Sequence, residues 1–136
     1  MPMVSRKGVL AIAAVIDVAI NARTRPVSAK ALAVRLKLPP RHLEPVLQAL
    51  VREGILRGVR GPHGGYELAR EHGKVSADDI LRAVNASDDA DHALLSHSEL
   101  ANDVVKPALI EAERSFSSAL AGISVEAMAK RAGSLK

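Results

Sequence analysis

The chain has 136 residues, 48% of them apolar, so one compact domain with a buried core is expected. It has no cysteine, which excludes disulfides, thiolate metal sites, iron–sulfur clusters and cysteine nucleophiles. Tyr66 and Phe116 are its aromatic residues, so surfaces that stack bases on several rings lose most of their chemistry here.

The net charge of +4 hides a segregation. Residues 23–74 carry eleven Lys/Arg against four Glu, whereas residues 75–113 carry two basic residues against nine Asp/Glu. The first stretch suits a polyanion and the second does not. Near the N-terminus, Gly8 to Ile16 is apolar and follows Arg6 and Lys7, as in a secretory leader. Asp17 interrupts that run, residues 20–25 offer no convincing cleavage site, and the run is too short to span a bilayer. A cytoplasmic chain without membrane contact is expected.

Val9, Ile12, Ala13, Ile16, Ala19 and Ile20 recur at three- and four-residue spacing and predict a first helix over about 6–22. Thr24-Arg25-Pro26 breaks it. Ser28 is the expected N-cap of a second helix, 29–36, with Leu32, Ala33 and Leu36 inward. Leu38-Pro39-Pro40 ends that segment, and a third helix is expected over 42–53. Its inward stripe reads Leu43, Val46, Leu47, Leu50 and Val51, Pro45 is assigned to its first turn, and Gly54 stops it as a left-handed cap. Residues 55–60 and 66–70 change to strand character around Gly61-Pro62-His63-Gly64-Gly65, which predicts a β-hairpin.

Ser76-Ala77-Asp78-Asp79 has the form of a capping box with Asp replacing Glu, and Val75 and Ile80 occupy the staple positions. The helix it opens should run over about 77–86, followed by a polar, acidic loop over 85–92. A long helix is expected over about 95–121, with Pro107 kinking it or marking its true first turn. Gly122 ends it, Ser124 caps a short last helix carrying Val125 and Met128, and residues from Arg131 onward are expected to fray.

Helix, helix–turn–helix and hairpin follow one another in the order of a winged helix-turn-helix DNA-binding domain. The expected fold is mainly α with a small β-hairpin wing, extended by a long C-terminal dimerisation helix. Residues 1–75 form the DNA-binding part, and 76–136 the linker helix, acidic loop and dimerisation helix. The polar face of the third helix carries Arg41, His42, Glu44, Gln48 and Arg52. Arginines reach phosphate or guanine, Gln48 suits adenine, and Glu44 suits the cytosine amino group. Glu44 has a second reading, as a surface partner of Arg41 or Gln48. The hairpin adds Arg57, Arg60 and His63, and its glycines let backbone approach the sugar-phosphate edge.

Arg60-Gly61-Pro62-His63-Gly64-Gly65-Tyr66-Glu67-Leu68-Ala69-Arg70 resembles the wing of the Rrf-two family of bacterial transcription regulators, the IscR/NsrR-like group. Arg41-His42-Leu43-Glu44-Pro45-Val46-Leu47, with Leu50 and Gly54-Ile55-Leu56, resembles that family's recognition helix. The resemblance covers about residues 3–131. It implies a homodimeric winged-helix regulator on a palindromic promoter site, with Glu44 as the base-reading glutamate, Arg60 as the wing arginine and Gly64-Gly65-Tyr66 as the wing tip. Many members hold an iron–sulfur cluster on three cysteines. The corresponding stretch here, about 87–103, has no thiolate, so cluster sensing is not carried over and no cofactor is expected.

His92 and His97, beside Asp88, Asp89, Asp91 and Glu99, match no compact metal-ligand spacing. His42, His63 and His72 form no triad or ligand set, so no enzymatic activity is expected. On the long helix, Leu100, Val104, Ala108, Ala112 and Phe116 lie four apart, flanked by Val105, Leu109 and Leu120. This stripe either folds onto the chain's own core or pairs with a second copy through Leu100, Val104, Leu109, Ala112, Phe116 and Leu120. Two-headed reading of DNA favours the pair. The expected partners are double-stranded DNA, a second copy and an unidentified small effector. The alternative is a winged-helix protein-interaction module that binds no DNA, which would need an exposed apolar patch in place of the basic face.

Overall fold

A computed structural model describes residues 4–85 and 99–133. Six α-helices are described: α1 (Arg6–Asn21), α2 (Ala29–Leu36), α3 (Pro40–Arg52), α4 (Ala77–Asn85), α5 (Lys106–Ala121) and α6 (Val125–Gly133). Between α3 and α4 lies a two-stranded antiparallel hairpin, β1 (Leu56–Val59) and β2 (Gly65–Leu68), with Leu56 opposite Leu68 and Val59 opposite Gly65. The fold is mainly α with a hairpin wing, as expected.

Each helix start has a local cause. Ser5 and Ser28 accept the backbone N–H of Gly8 and Ala31, at 3.0 and 3.1 Å. The capping box closes in both directions: Asp79 N–H donates to Ser76 Oγ at 3.1 Å, and Ser76 N–H donates to Asp79 Oδ2 at 3.0 Å. The staple residues Val75 and Ile80 are fully buried beneath it. α3 has no side-chain cap. Pro39 and Pro40 open it instead, because their fixed φ is already close to helical.

That early start moves Pro45 out of the first turn, where it was expected, into the second. Pro45 has no N–H for the carbonyl of Arg41, and both residues face solvent, where water can replace the bond. Gly54, at φ 76°, ends α3 in the left-handed conformation, and Ile55 N–H reaches back to the Leu50 carbonyl at 2.9 Å. α2 ends on Lys37 in the same conformation, φ 57°, without a glycine.

The core is one cluster. α1, α2 and α3 supply Val15, Val18, Leu32, Leu43, Leu47 and Leu50, β1 supplies Leu56, α4 supplies Ile80 and Val84, and α6 supplies Val125. Full burial of each leucine contributes about 1.5–3 kcal/mol. The α1 stripe differs from expectation. Ala11, Ala14, Val15 and Val18 are buried, whereas Ile12, Ile16 and Ile20 are half-buried and Val9 is 50% exposed. α1 is apolar on both stripes, and the one with small alanines admits α4 and α6 closely. On α3, Ala49 is buried and Val51 lies at the surface, contrary to expectation.

Three further boundaries differ. A 3-10 turn over His72–Lys74 precedes α4. The expected long helix runs on without a break from residue 99, a π-helical stretch, Ala101–Val105, passing directly into α5, so Pro107 follows a widened turn inside the helix and does not mark its first turn. α6 continues to Gly133 rather than fraying from Arg131. The start of the expected long helix at 95–98, most of the acidic loop, and His92 and His97 lie outside the described residues.

Candidate nucleic-acid interface

α2 and α3 form the helix–turn–helix, joined across Lys37-Leu38-Pro39. Leu38 N–H donates to the Ala33 carbonyl at 3.0 Å, which closes the turn. Leu43, Val46, Leu47 and Leu50 anchor one side of α3 in the core. Arg41, Glu44, Gln48 and Arg52 are spaced three and four apart on the opposite side, and all four are exposed. His42 is exposed beside them. α3 therefore offers a continuous stripe of two arginines, one amide and one carboxylate.

The wing is held from two directions. Its strands pair with each other, and Tyr66 also exchanges two backbone bonds with Val27: Tyr66 N–H to Val27 O at 2.7 Å and Val27 N–H to Tyr66 O at 2.8 Å. Val27 lies in the link between α1 and α2, so the hairpin is tied to the start of the helix–turn–helix. Gly65 makes this approach possible, since a Cβ there would collide with the Val27 carbonyl. The Tyr66 ring is half-buried against the core. At the tip, Gly64 N–H closes onto the Gly61 carbonyl at 2.9 Å.

The wing's basic residues are not equivalent. Arg57 is engaged by Glu67 directly across the ladder, with Nε and Nη2 each 2.9 Å from Oε1. Arg60 and His63 are exposed at the tip. His63 and Gly64 face Arg25 and Ser28 across a polar notch of about 380 Å³. Arg25 and Ser28 are missing from the sequence-derived site. Their signal was the basic run from residue 23, which continues through the α1–α2 link.

Beyond the interface, α5 has no buried residue. Leu100, Val104 and Leu109 are 68, 60 and 62% exposed, Ala112 is exposed, and Phe116 and Leu120 are half-buried. The stripe therefore does not fold onto the chain's own core. No described helix is long and apolar enough to cross a membrane.

Residues 4–131 match the family described as "Rrf2: Iron-dependent Transcriptional regulator". The chain belongs to the Rrf-two family. Among its relatives, the HTH-type transcriptional regulator IscR of Enterobacter sp. (strain 638) is 36% identical over 84 residues, which are 62% of this chain and 52% of that protein. The chain thus spans about half the length of the curated relatives it matches. The solved structure of T. potens IscR shares 31% identity at a TM-score of 0.74, covering 95% of this chain and 87% of the other. CymR (YrzC), the global cysteine regulator of B. subtilis, shares 25% identity at a TM-score of 0.72, covering 94 and 96%. These relatives are described as regulators, IscR as a transcriptional one, and not as enzymes.

The iron implied by the family description cannot be held by thiolates in this chain. There is no cysteine in the sequence. Among the described residues, no three His, Asp or Glu side chains gather into a group able to hold a metal.

Proposed function

We propose that the chain is a homodimeric, cytoplasmic DNA-binding regulator that acts as a repressor on a palindromic promoter site without an iron–sulfur cluster. Residues 1–75 form the reading head and 76–136 the pairing arm. The observation that carries the reading is the exposed Arg41–Glu44–Gln48–Arg52 stripe on the second helix of a helix–turn–helix, with a basic wing tied to the same unit. A major groove admits one helix. In each half-site α3 enters it, Glu44 and Gln48 meet base edges, and Arg41 and Arg52 meet phosphate or guanine. The 60–66 wing lies along the adjacent backbone or minor groove, with Arg60 and His63 foremost.

Dimerisation is supported by the uncovered apolar stripe of α5. A surface of that kind marks a protein contact, and two half-sites about one helical turn apart require two reading heads. The test is fluorescence anisotropy against a duplex recovered by selection from random sequence. Affinity should fall steeply with salt as counterions are released. Arg60→Ala should weaken binding to all sequences and reduce the slope of log K against log salt by about one. A wild-type affinity flat between low and moderate salt overturns the reading.

A further inference from the structure

The crevice between α4 and α5 carries a set of charges that the reading head does not use. It is an open groove of about 570 Å³, a volume within the range of small-ligand sites. α4 contributes Asp78 and Arg82, and α5 contributes Glu113, Arg114 and Ser118, with Ile110 as the apolar wall. Asp78 is 6% exposed and is the one buried charged side chain among the described residues. Its Oδ2 accepts from Arg82 Nη2 at 2.8 Å, while Arg82 remains 72% exposed. Removing a carboxylate from water is costly. The start of α4 does not demand it, because Asp79 already serves that end through the capping box.

The crevice therefore pairs two carboxylates with two guanidinium groups. A ligand bearing one charge of each sign matches that balance. The Arg114 fork suits a carboxylate, Glu113 suits an ammonium beside the Asp78 carboxylate that Arg82 already engages, and Ser118 adds a hydroxyl to the same lining. Ile110 and Ala121 give the lining its apolar side chains. The position also has mechanical consequence. The far end of α5 is clamped to the start of α4: Ala77 N–H donates to the Ile123 carbonyl, and Val125 N–H to the Val75 carbonyl, both at 2.8 Å. A molecule held between α4 and α5 would set the opening between the two helices beside that clamp. α4 packs on α1 and α3 of the reading head, and α5 carries the uncovered apolar stripe.

We propose that the α4–α5 crevice binds a small zwitterionic amino acid, and that its occupancy changes duplex affinity by resetting the angle of α5. The second half rests on the DNA-binding reading above. Full-length protein is titrated calorimetrically with glycine, L-alanine, L-serine and L-valine, and with ethylamine and propionate as single-charge controls. At least one zwitterion should bind saturably and neither control should. Arg114→Gln and Ser118→Ala should each weaken that binding about tenfold, with duplex affinity unchanged when no amino acid is present. The bound amino acid should shift wild-type duplex affinity about fivefold or more.

The proposal is overturned if no zwitterion binds, if Arg114→Gln leaves binding intact, or if the amino acid that binds does not alter duplex affinity. Duplex binding measured without amino acid separates the two readings. Its absence removes the regulator, while calorimetry alone decides the crevice.

Discussion

Asp17 on α1 grips Arg35 on α2 with both carboxylate oxygens, Arg35 Nε lying 2.8 Å from Oδ2 and Nη2 2.8 Å from Oδ1. Asn21 Nδ2 supports the carboxylate from one turn further along α1 at 3.3 Å. This pair fixes the angle between the first helix and the helix–turn–helix, and it withholds one arginine of the basic segment from outside partners. Asp17→Asn keeps the shape and removes the charge. The pair is partly solvated, Arg35 being 40% exposed, so a loss of about 1 kcal/mol is expected, read as a lower urea midpoint at unchanged slope. Hydrogen bonding to Asp17 raises the Arg35 pKa above the ordinary guanidinium range. A raised folded-state pKa gives stability that is fully present below the unfolded value and disappears only as pH rises through the folded one. Arg35 therefore makes no pH dependence of its own across the neutral range, and the Asp17→Asn deficit should be equal at pH 7 and pH 9.

The Gly65–Val27 contact is the point at which the wing depends on a single missing methyl. Gly65→Ala would drive Cβ into the Val27 carbonyl. The backbone must yield, and the two Val27–Tyr66 bonds are the nearest to break. Stability should fall by about 1–3 kcal/mol, and duplex affinity should drop more than stability alone explains, because the tip is displaced. Gly58→Ala on the facing strand is the control, since a Cβ there meets nothing within 4 Å. Equal duplex affinities for the two variants would show that wing position is immaterial.

How much of this was legible in the residues depended on whether one local interaction decided the outcome. The Ser76–Asp79 capping box, the Ser28 cap and the Gly54 stop each act within four residues, and each was found. The buried stripe of α1 was not, because both candidate stripes are apolar and only α4 and α6 choose between them. Pro45 misled for a related reason: two prolines ahead of it start α3 early, and the cost of an interior proline falls on a solvent-facing carbonyl. The exposed stripe of α3 was legible because its opposite face is so strongly apolar. The notch uniting Arg25 with His63 was not, because it exists only once the wing folds back onto Val27, 39 positions before Tyr66. Arg57 looked like its neighbour Arg60 until strand register set it opposite Glu67.

Glu44 separates base reading from surface pairing. It is exposed on α3, four residues before Gln48, and no described hydrogen bond or ion pair engages it. A carboxylate facing DNA repels phosphate unless it meets a base donor, for which the cytosine amino group is suited. Glu44→Ala should therefore relax the preference at one base-pair position of each half-site by about 1–3 kcal/mol. General affinity should hold or rise, because a negative charge has left the interface. Selection from random duplexes by wild type and variant makes the comparison. An identical motif from both proteins would assign Glu44 to the solvated surface.

Leu109 tests the pairing arm. It is 62% exposed on α5, in an apolar stripe that starts at Val104 in the preceding π-helical stretch and continues to Ala112. A charge placed there costs nothing in the isolated chain, because water already covers the site. In a two-fold helix pair the same charge would meet apolar side chains or its own copy, and both arrangements are strongly unfavourable. Leu109→Glu should therefore reduce the mass by light scattering from twice 14.4 kDa to 14.4 kDa. Helix content by circular dichroism should not change. Affinity for a palindromic duplex should fall about 100-fold, because the second head no longer binds at the effective concentration set by the first. Affinity for a single half-site should be untouched. A variant that remains dimeric would move the interface off this stripe, and one that loses helix content would show that α5 depends on Leu109 within its own chain.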